Sequence, residues 1–294
     1  MQINKHSSFY IRNGWPTKII DAVNMDPYIF SPNNELLAVD SIGVGRVMIK
    51  AMRYWSTVLG ITLETKNQQG VCHTFTDLGH QIMAQDAYCQ DKGTLWLLHR
   101  NLAYSQENAT MWYWAYNQLN AKTFSKDEFV SAFYLYAQRQ GEEYNKRALE
   151  KEFDCFKNTY VSDKAFDIDK VIDEDTIPFF APLKLIEYSG AGRFEKHQTR
   201  ASDIPTNILL YCILADNEDH LINGFEINID ALLEGDCQVG KYMNLSYATL
   251  LELLQKLENE NKLKLINNFG SRYIHITALD RQQVLNEYYT EIVR

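Results

Sequence analysis

Residues 35–75 read ELLAVDSIGVGRVMIKAMRYWSTVLGITLETKNQQGVCHTF, and their order predicts a winged helix-turn-helix. Glu35–Val39 is expected to form a short helix, with Asn34 capping its free N–H groups. Asp40, Ser41, Ile42 and Gly43 make the turn, and Gly43 can take the positive φ of a sharp reversal. A second helix is predicted from Val44 to Leu59, closed by Gly60. Val44, Met48, Met52, Trp55 and Leu59 recur at helical spacing and define an apolar face. Arg46, Lys50, Arg53 and Thr57 recur on another. Ile61 and Leu63, then Val71, His73 and Phe75, alternate with polar residues on either side of a turn at Asn67–Gly70. That alternation predicts a two-stranded wing.

A helix with an apolar back and a basic front suits DNA: the back packs on its domain and the front meets phosphates or base edges. Charge alone would equally describe a solvated helix face; the turn and the wing favour nucleic acid. Arg46, Lys50 and Arg53 are the candidate DNA-binding residues, with Arg12 and Lys18 assisting from a helix that opens at Trp15-Pro16-Thr17.

Outward from this stretch the chain reads as mainly α, in three parts. Residues 1–92 form the N-terminal winged helix, 93–200 a helical bundle with an acidic loop, and 201–294 a second, winged-helix-like domain. In the middle part, Thr94 is expected to cap one helix and Thr110 another. Ser125 and Glu128 have capping-box spacing for a third, and a fourth runs from Asn145 to Tyr160. Trp112, Tyr113, Trp114 and Tyr116 are read as core rather than as a base-stacking platform. Short strands are expected at Leu183–Tyr188 and Arg193–His197. In the last part, Pro205 opens a helix, Asn228 and Ser246 cap two more, Leu263–Ile266 and Arg272–Ile276 form a hairpin, and a helix follows to Ile292.

The net charge of −9 is unevenly spread. Residues 1–100 carry 9 Lys and Arg against 8 Asp and Glu, whereas residues 201–294 carry 7 against 14. A local basic face can therefore form in the first part. On the longest helix of the last part, Lys256 sits among Glu252, Glu258 and Glu260, a poor surface for phosphate. That part is expected to pack on the rest of the chain, to form a homodimer or to bind a protein partner. No run approaches the roughly 20 apolar residues of a membrane span, and the N-terminus has no apolar signal segment. A cytoplasmic protein without membrane association is the expectation. The five cysteines are scattered, with no C-x-x-C pair to suggest zinc.

No P-loop, dinucleotide fingerprint, H-E-x-x-H or G-x-S-x-G motif is present. The densest source of oxygen ligands for a hard cation is the stretch SDKAFDIDKVIDED at 162–175. Asp167, Asp169 and Asp173 are its candidate metal ligands and catalytic residues, and Asp154 on the preceding helix is a further catalytic candidate. A solvated acidic loop is the competing reading.

HSSFYIRNGWPTKIIDAV at 6–23, GVGRVMIKAMRYW at 43–55, FTDLGHQI at 75–82, TLWLLHRNLA at 94–103 and ATMWYWAYNQLN at 109–120 carry a family resemblance. They resemble the DNA-nicking components of single-strand phosphorothioate modification and defence systems, a family first described as a domain of unknown function. The likeness is best from His6 to Asn120 and weakens after Gly190. It departs at Ala87 and Gln90, where the family usually has a proline and an acidic residue. The resemblance implies a protein that binds duplex DNA and nicks one strand, so that sulfur can be inserted at a backbone phosphate. If the chain cuts DNA with a metal, Mg²⁺ or Mn²⁺ is the expected cofactor, and otherwise none is expected. The implied partners are a cysteine desulfurase, an ATPase and an ATP-pyrophosphatase-like protein. It assigns no catalytic residue. A non-catalytic DNA-binding adaptor that recruits the sulfur-transfer machinery is the alternative, and a protein-only scaffold is the third reading.

Overall fold

The computed structural model describes residues 1–161, 177–218, 226–268, 270–276 and 280–292. The protein is mainly helical with small antiparallel sheets. The first part runs α1 (Trp15–Met25), α2 (Glu35–Ile42), α3 (Arg46–Val58), the hairpin β1 (Thr62–Asn67) and β2 (Gly70–Phe75), and α4 (Asp77–Gln85). The middle follows with α5 (Lys92–Tyr104), α6 (Thr110–Asn117), β3 (Thr123–Ser125), α7 (Lys126–Arg139), α8 (Lys146–Tyr160), β4 (Ile186–Gly190) and β5 (Arg193–Lys196). The last part contains α9 (Thr206–Asp216), β6 (Ile227–Asn228), α10 (Ile229–Glu234), α11 (Val239–Tyr242), α12 (Tyr247–Asn259), β7 (Lys264–Asn268), β8 (Ser271–His275) and α13 (Arg281–Ile292).

Side-chain caps set several of these starts. Thr76 accepts from Gly79 N, Ser246 from Thr249 N, and Ser125 and Glu128 close the expected capping box. Three expected caps are corrected. Asn34 makes no cap; its amide donates instead to the Tyr28 carbonyl at 3.0 Å, tying down the entry to α2. Thr94 lies inside α5, because Asp91, three residues earlier, accepts from Gly93 N and Thr94 N. Thr110 likewise lies inside α6, with its hydroxyl on the Gln106 carbonyl. Strand β3 was not expected: three residues are too few to show alternation, and it forms by pairing Phe124 with Phe194 of β5.

Helix α5 organises the packing. Leu95, Trp96, Leu97, Leu98, His99, Leu102 and Ala103 are all buried, so most of the helix surface is enclosed. Its polar groups are matched by the last part of the chain. Trp96 Nε1 donates to Asp203 O (3.0 Å), His99 Nε2 lies 2.8 Å from Tyr242 O, and Thr94 Oγ1 lies 2.8 Å from the Tyr289 hydroxyl. Tyr288 donates to Asp91 Oδ1 at 2.6 Å, with its ring against Gly93 where a Cβ would not fit. On the other flank, Trp112, Trp114, Tyr116, Phe129, Phe133, Phe153 and Phe156 form one buried aromatic cluster, so these rings are core. No helix among the described residues is long and apolar enough to cross a membrane.

An ion pair is locked into this core. Arg100 donates through Nε to Asp216 Oδ1 at 2.6 Å, and Tyr242 donates to Asp216 Oδ2 at 2.6 Å. The Asp216 side chain is fully buried. Removing one partner strands a charge away from water. Asp216→Asn should therefore destabilise the fold by about 3–5 kcal/mol, read as a lower midpoint in urea.

Candidate nucleic-acid interface

Helix α3 is fixed at both ends. Gly43, at φ 73°, ends α2, and Gly45 is the extended residue that starts α3. Gly60, at φ 71°, turns the chain away, and the Asn101 side chain of α5 sits where its Cβ would be. Asn101 Nδ2 donates to the Leu59 carbonyl at 2.9 Å, so the end of α3 is satisfied from α5. Between these ends Ile49, Met52 and Trp55 are buried. Trp55 Nε1 donates to Phe9 O at 2.9 Å, and its ring meets Trp112 edge-on at 5.6 Å.

The inward stripe departs from the expected one at its start. Val44 precedes the helix and Met48 is only half-buried, while Ile49 is fully enclosed. Met52, Trp55 and Leu59 stay buried as expected, so the difference is confined to the first turn. Arg46 and Lys50 are exposed. Arg46 Nε lies 3.5 Å from Glu35 Oε1 with its side chain 64% exposed, and Lys50 forms no ion pair among the described residues.

Arg53 turns towards β1 instead. Its Nε donates to Glu64 Oε2 at 2.7 Å and its Nη2 to Oε1 at 2.6 Å, a two-bond fork. This hydrogen bonding raises the Arg53 pKa and lowers that of Glu64. Glu64 Oε2 also faces His73 Nε2 at 3.3 Å. His73 Nδ1 lies 2.9 Å from Thr62 Oγ1 and 3.4 Å from Ser56 Oγ. Burial pushes the His73 pKa down to about 4. Sequence reasoning passed over Glu64, although the turn at Asn67–Gly70 already fixes the register that sets it opposite His73.

The other candidates stand apart from α3. The Arg12 guanidinium lies 5.6–5.8 Å from the rings of Phe9, Tyr10 and Trp15, and its backbone bridges to Pro178. Lys18 is half-buried on α1. Asp154 is exposed on α8 and accepts from Lys126 Nζ at 2.6 Å. Asp167, Asp169 and Asp173 lie outside the described residues. Among the described residues no three His, Cys, Asp or Glu side chains converge as metal ligands would. His80 packs on Phe75 at 5.4 Å.

A family model, DUF4007, described as a protein of unknown function, matches residues 3–289. Two solved structures share the fold. A magnesium ion-bound SspB crystal structure superposes with a TM-score of 0.82 at 23% identity, covering 98% of this chain and 88% of that one. An SspB crystal structure gives 0.82 at 22% identity with the same coverage. A comparison with curated proteins finds no match.

The histidine has a measurable signature. Folded His73 stays neutral down to about 4, whereas the unfolded residue protonates near 6.5. Between those values the unfolded chain binds the extra proton, so stability falls as pH is lowered through that window. Urea midpoints at pH 7 and pH 5 should show the loss, and His73→Gln should reduce it. His99, also lowered to about 4 by burial, accounts for a further share.

Proposed function

The chain belongs to the DUF4007 family, and from that membership and the geometry of α3 we propose a DNA-binding protein of a phosphorothioate modification and defence system. Residues 35–75 act as a winged helix-turn-helix: α3 lies along duplex DNA and β1–β2 is the wing. The observation that carries this reading is the pairing of exposed Arg46 and Lys50 with a buried Ile49–Met52–Trp55 face on one helix. The shared fold with SspB supports it. The finer reading is that the protein nicks one strand, with Asp167, Asp169 and Asp173 holding Mg²⁺ or Mn²⁺ and Asp154 a further catalytic group. Carboxylates suit such hard cations. The ion would activate water and stabilise the leaving oxygen. The likeness to a magnesium ion-bound relative is in keeping with this. A cysteine desulfurase, an ATPase and an ATP-pyrophosphatase-like protein of the same system are the proposed partners.

The second reading is a non-catalytic adaptor whose second winged helix, residues 201–294, recruits those partners. The acidity of that part favours it, as does α12, whose exposed Lys256 is already held by Glu252 at 2.9 Å. A surface of this sign suits a protein rather than a polyanion.

Arg46→Ala and Lys50→Ala should each weaken binding to duplex DNA and flatten its dependence on log salt by roughly one. A gel shift unchanged by both substitutions rejects α3 as the contact. Supercoiled plasmid incubated with Mg²⁺ or Mn²⁺ then separates the two readings. A nickase converts it to open circles and loses the activity in Asp154→Ala, Asp167→Ala, Asp169→Ala or Asp173→Ala. An adaptor binds the plasmid and leaves it supercoiled.

A further inference from the structure

We infer that Glu64 sets how many phosphates the α3 face engages, by holding Arg53 in the place of a DNA phosphate. The inference rests on the DNA-binding reading above. Arg46, Lys50 and Arg53 recur along one helix; Lys50 has no ion pair among the described residues, Arg46 meets Glu35 only at 3.5 Å, and Arg53 is forked onto Glu64. Arg53 meets a carboxylate through two parallel N–H···O bonds of 2.7 and 2.6 Å, the same fork with which a guanidinium grips a phosphate. The carboxylate thus stands in for the anion and cancels the cation that would attract it.

The contact is placed for exchange. Its side chains are 32% and 34% exposed, so water and a competing anion reach it. Ion pairs at such exposure contribute little net stability. Glu64 also has a second neighbour. His73 Nε2 stands 3.3 Å from Oε2. When Arg53 turns to a phosphate, Glu64 stays beside the His73 ring, its cross-strand neighbour in the hairpin. A simple staple between α3 and the wing predicts the opposite behaviour, because loosening it would disorder the interface.

The test is binding of a fluorescein-labelled duplex, followed by anisotropy across a NaCl series. Glu64→Gln should bind roughly three- to tenfold more tightly at low salt, about the net worth of one added hydrogen bond. Its slope against log salt should steepen by about one phosphate. Arg53→Ala in the Glu64→Gln background should abolish that gain. Unchanged or weaker binding by folded Glu64→Gln overturns the inference. Should that variant fail to fold, Arg53→Ala alone decides. A loss well below that of Arg46→Ala supports the withheld arginine, and an equal loss overturns it. If Arg46→Ala and Lys50→Ala weaken binding while Glu64→Gln does nothing, the DNA reading stands and only this inference falls. If the unaltered protein binds no duplex, the DNA reading falls first.

Discussion

Helix α5 is buried over most of its length, and the rest of the molecule is arranged around that constraint. A helix buried on most of its sides must be wrapped, and no single neighbouring element can do it. The N-terminal helices meet it through Asn101 and Leu59, and the aromatic cluster of α6–α8 covers another side. The last part of the chain meets Thr94, Trp96, His99 and Arg100 with hydrogen bonds. Each polar atom on α5 is therefore a registration point. It accepts a partner at one position and leaves a buried unsatisfied group at any other.

The same rigidity reaches α3. Its C-terminal end is held by Asn101, its tryptophan by the Phe9 carbonyl and the Trp112 ring, and its flank by the hairpin. A buried His6–Glu152 pair at 2.9 Å adds a clasp, with the His6 ring beside Trp55 and Trp112. The exposed cations thus stand on a helix with little freedom to reorient. Arg12, by contrast, is spent on three aromatic rings of its own segment.

Local signals were legible in the sequence. The capping box at Ser125, the positive φ at Gly43 and the two hairpins of β1–β2 and β7–β8 each follow from a few adjacent residues. What escaped depends on distant partners. Strand β3 exists because Phe194 lies opposite it, and the Asn34 side chain is directed to the Tyr28 carbonyl rather than to the N–H groups of α2. The candidate site divides in the same way. The basic periodicity of α3 is a local fact, whereas the fate of Arg53 is decided by a residue on another element. Charge counted along a helix says where a cation is anchored and nothing of what already holds it.

The clasp at the start of α5 bears on how the molecule is made. Tyr288 and Tyr289 come from α13, yet they close over Asp91, Gly93 and Thr94, nearly two hundred positions earlier in the chain. During synthesis, a largely buried helix waits with one flank uncovered until that late segment leaves the ribosome. Nascent chains in this state expose surface on which aggregation feeds. A helper that shields such surfaces would thus have its longest task here.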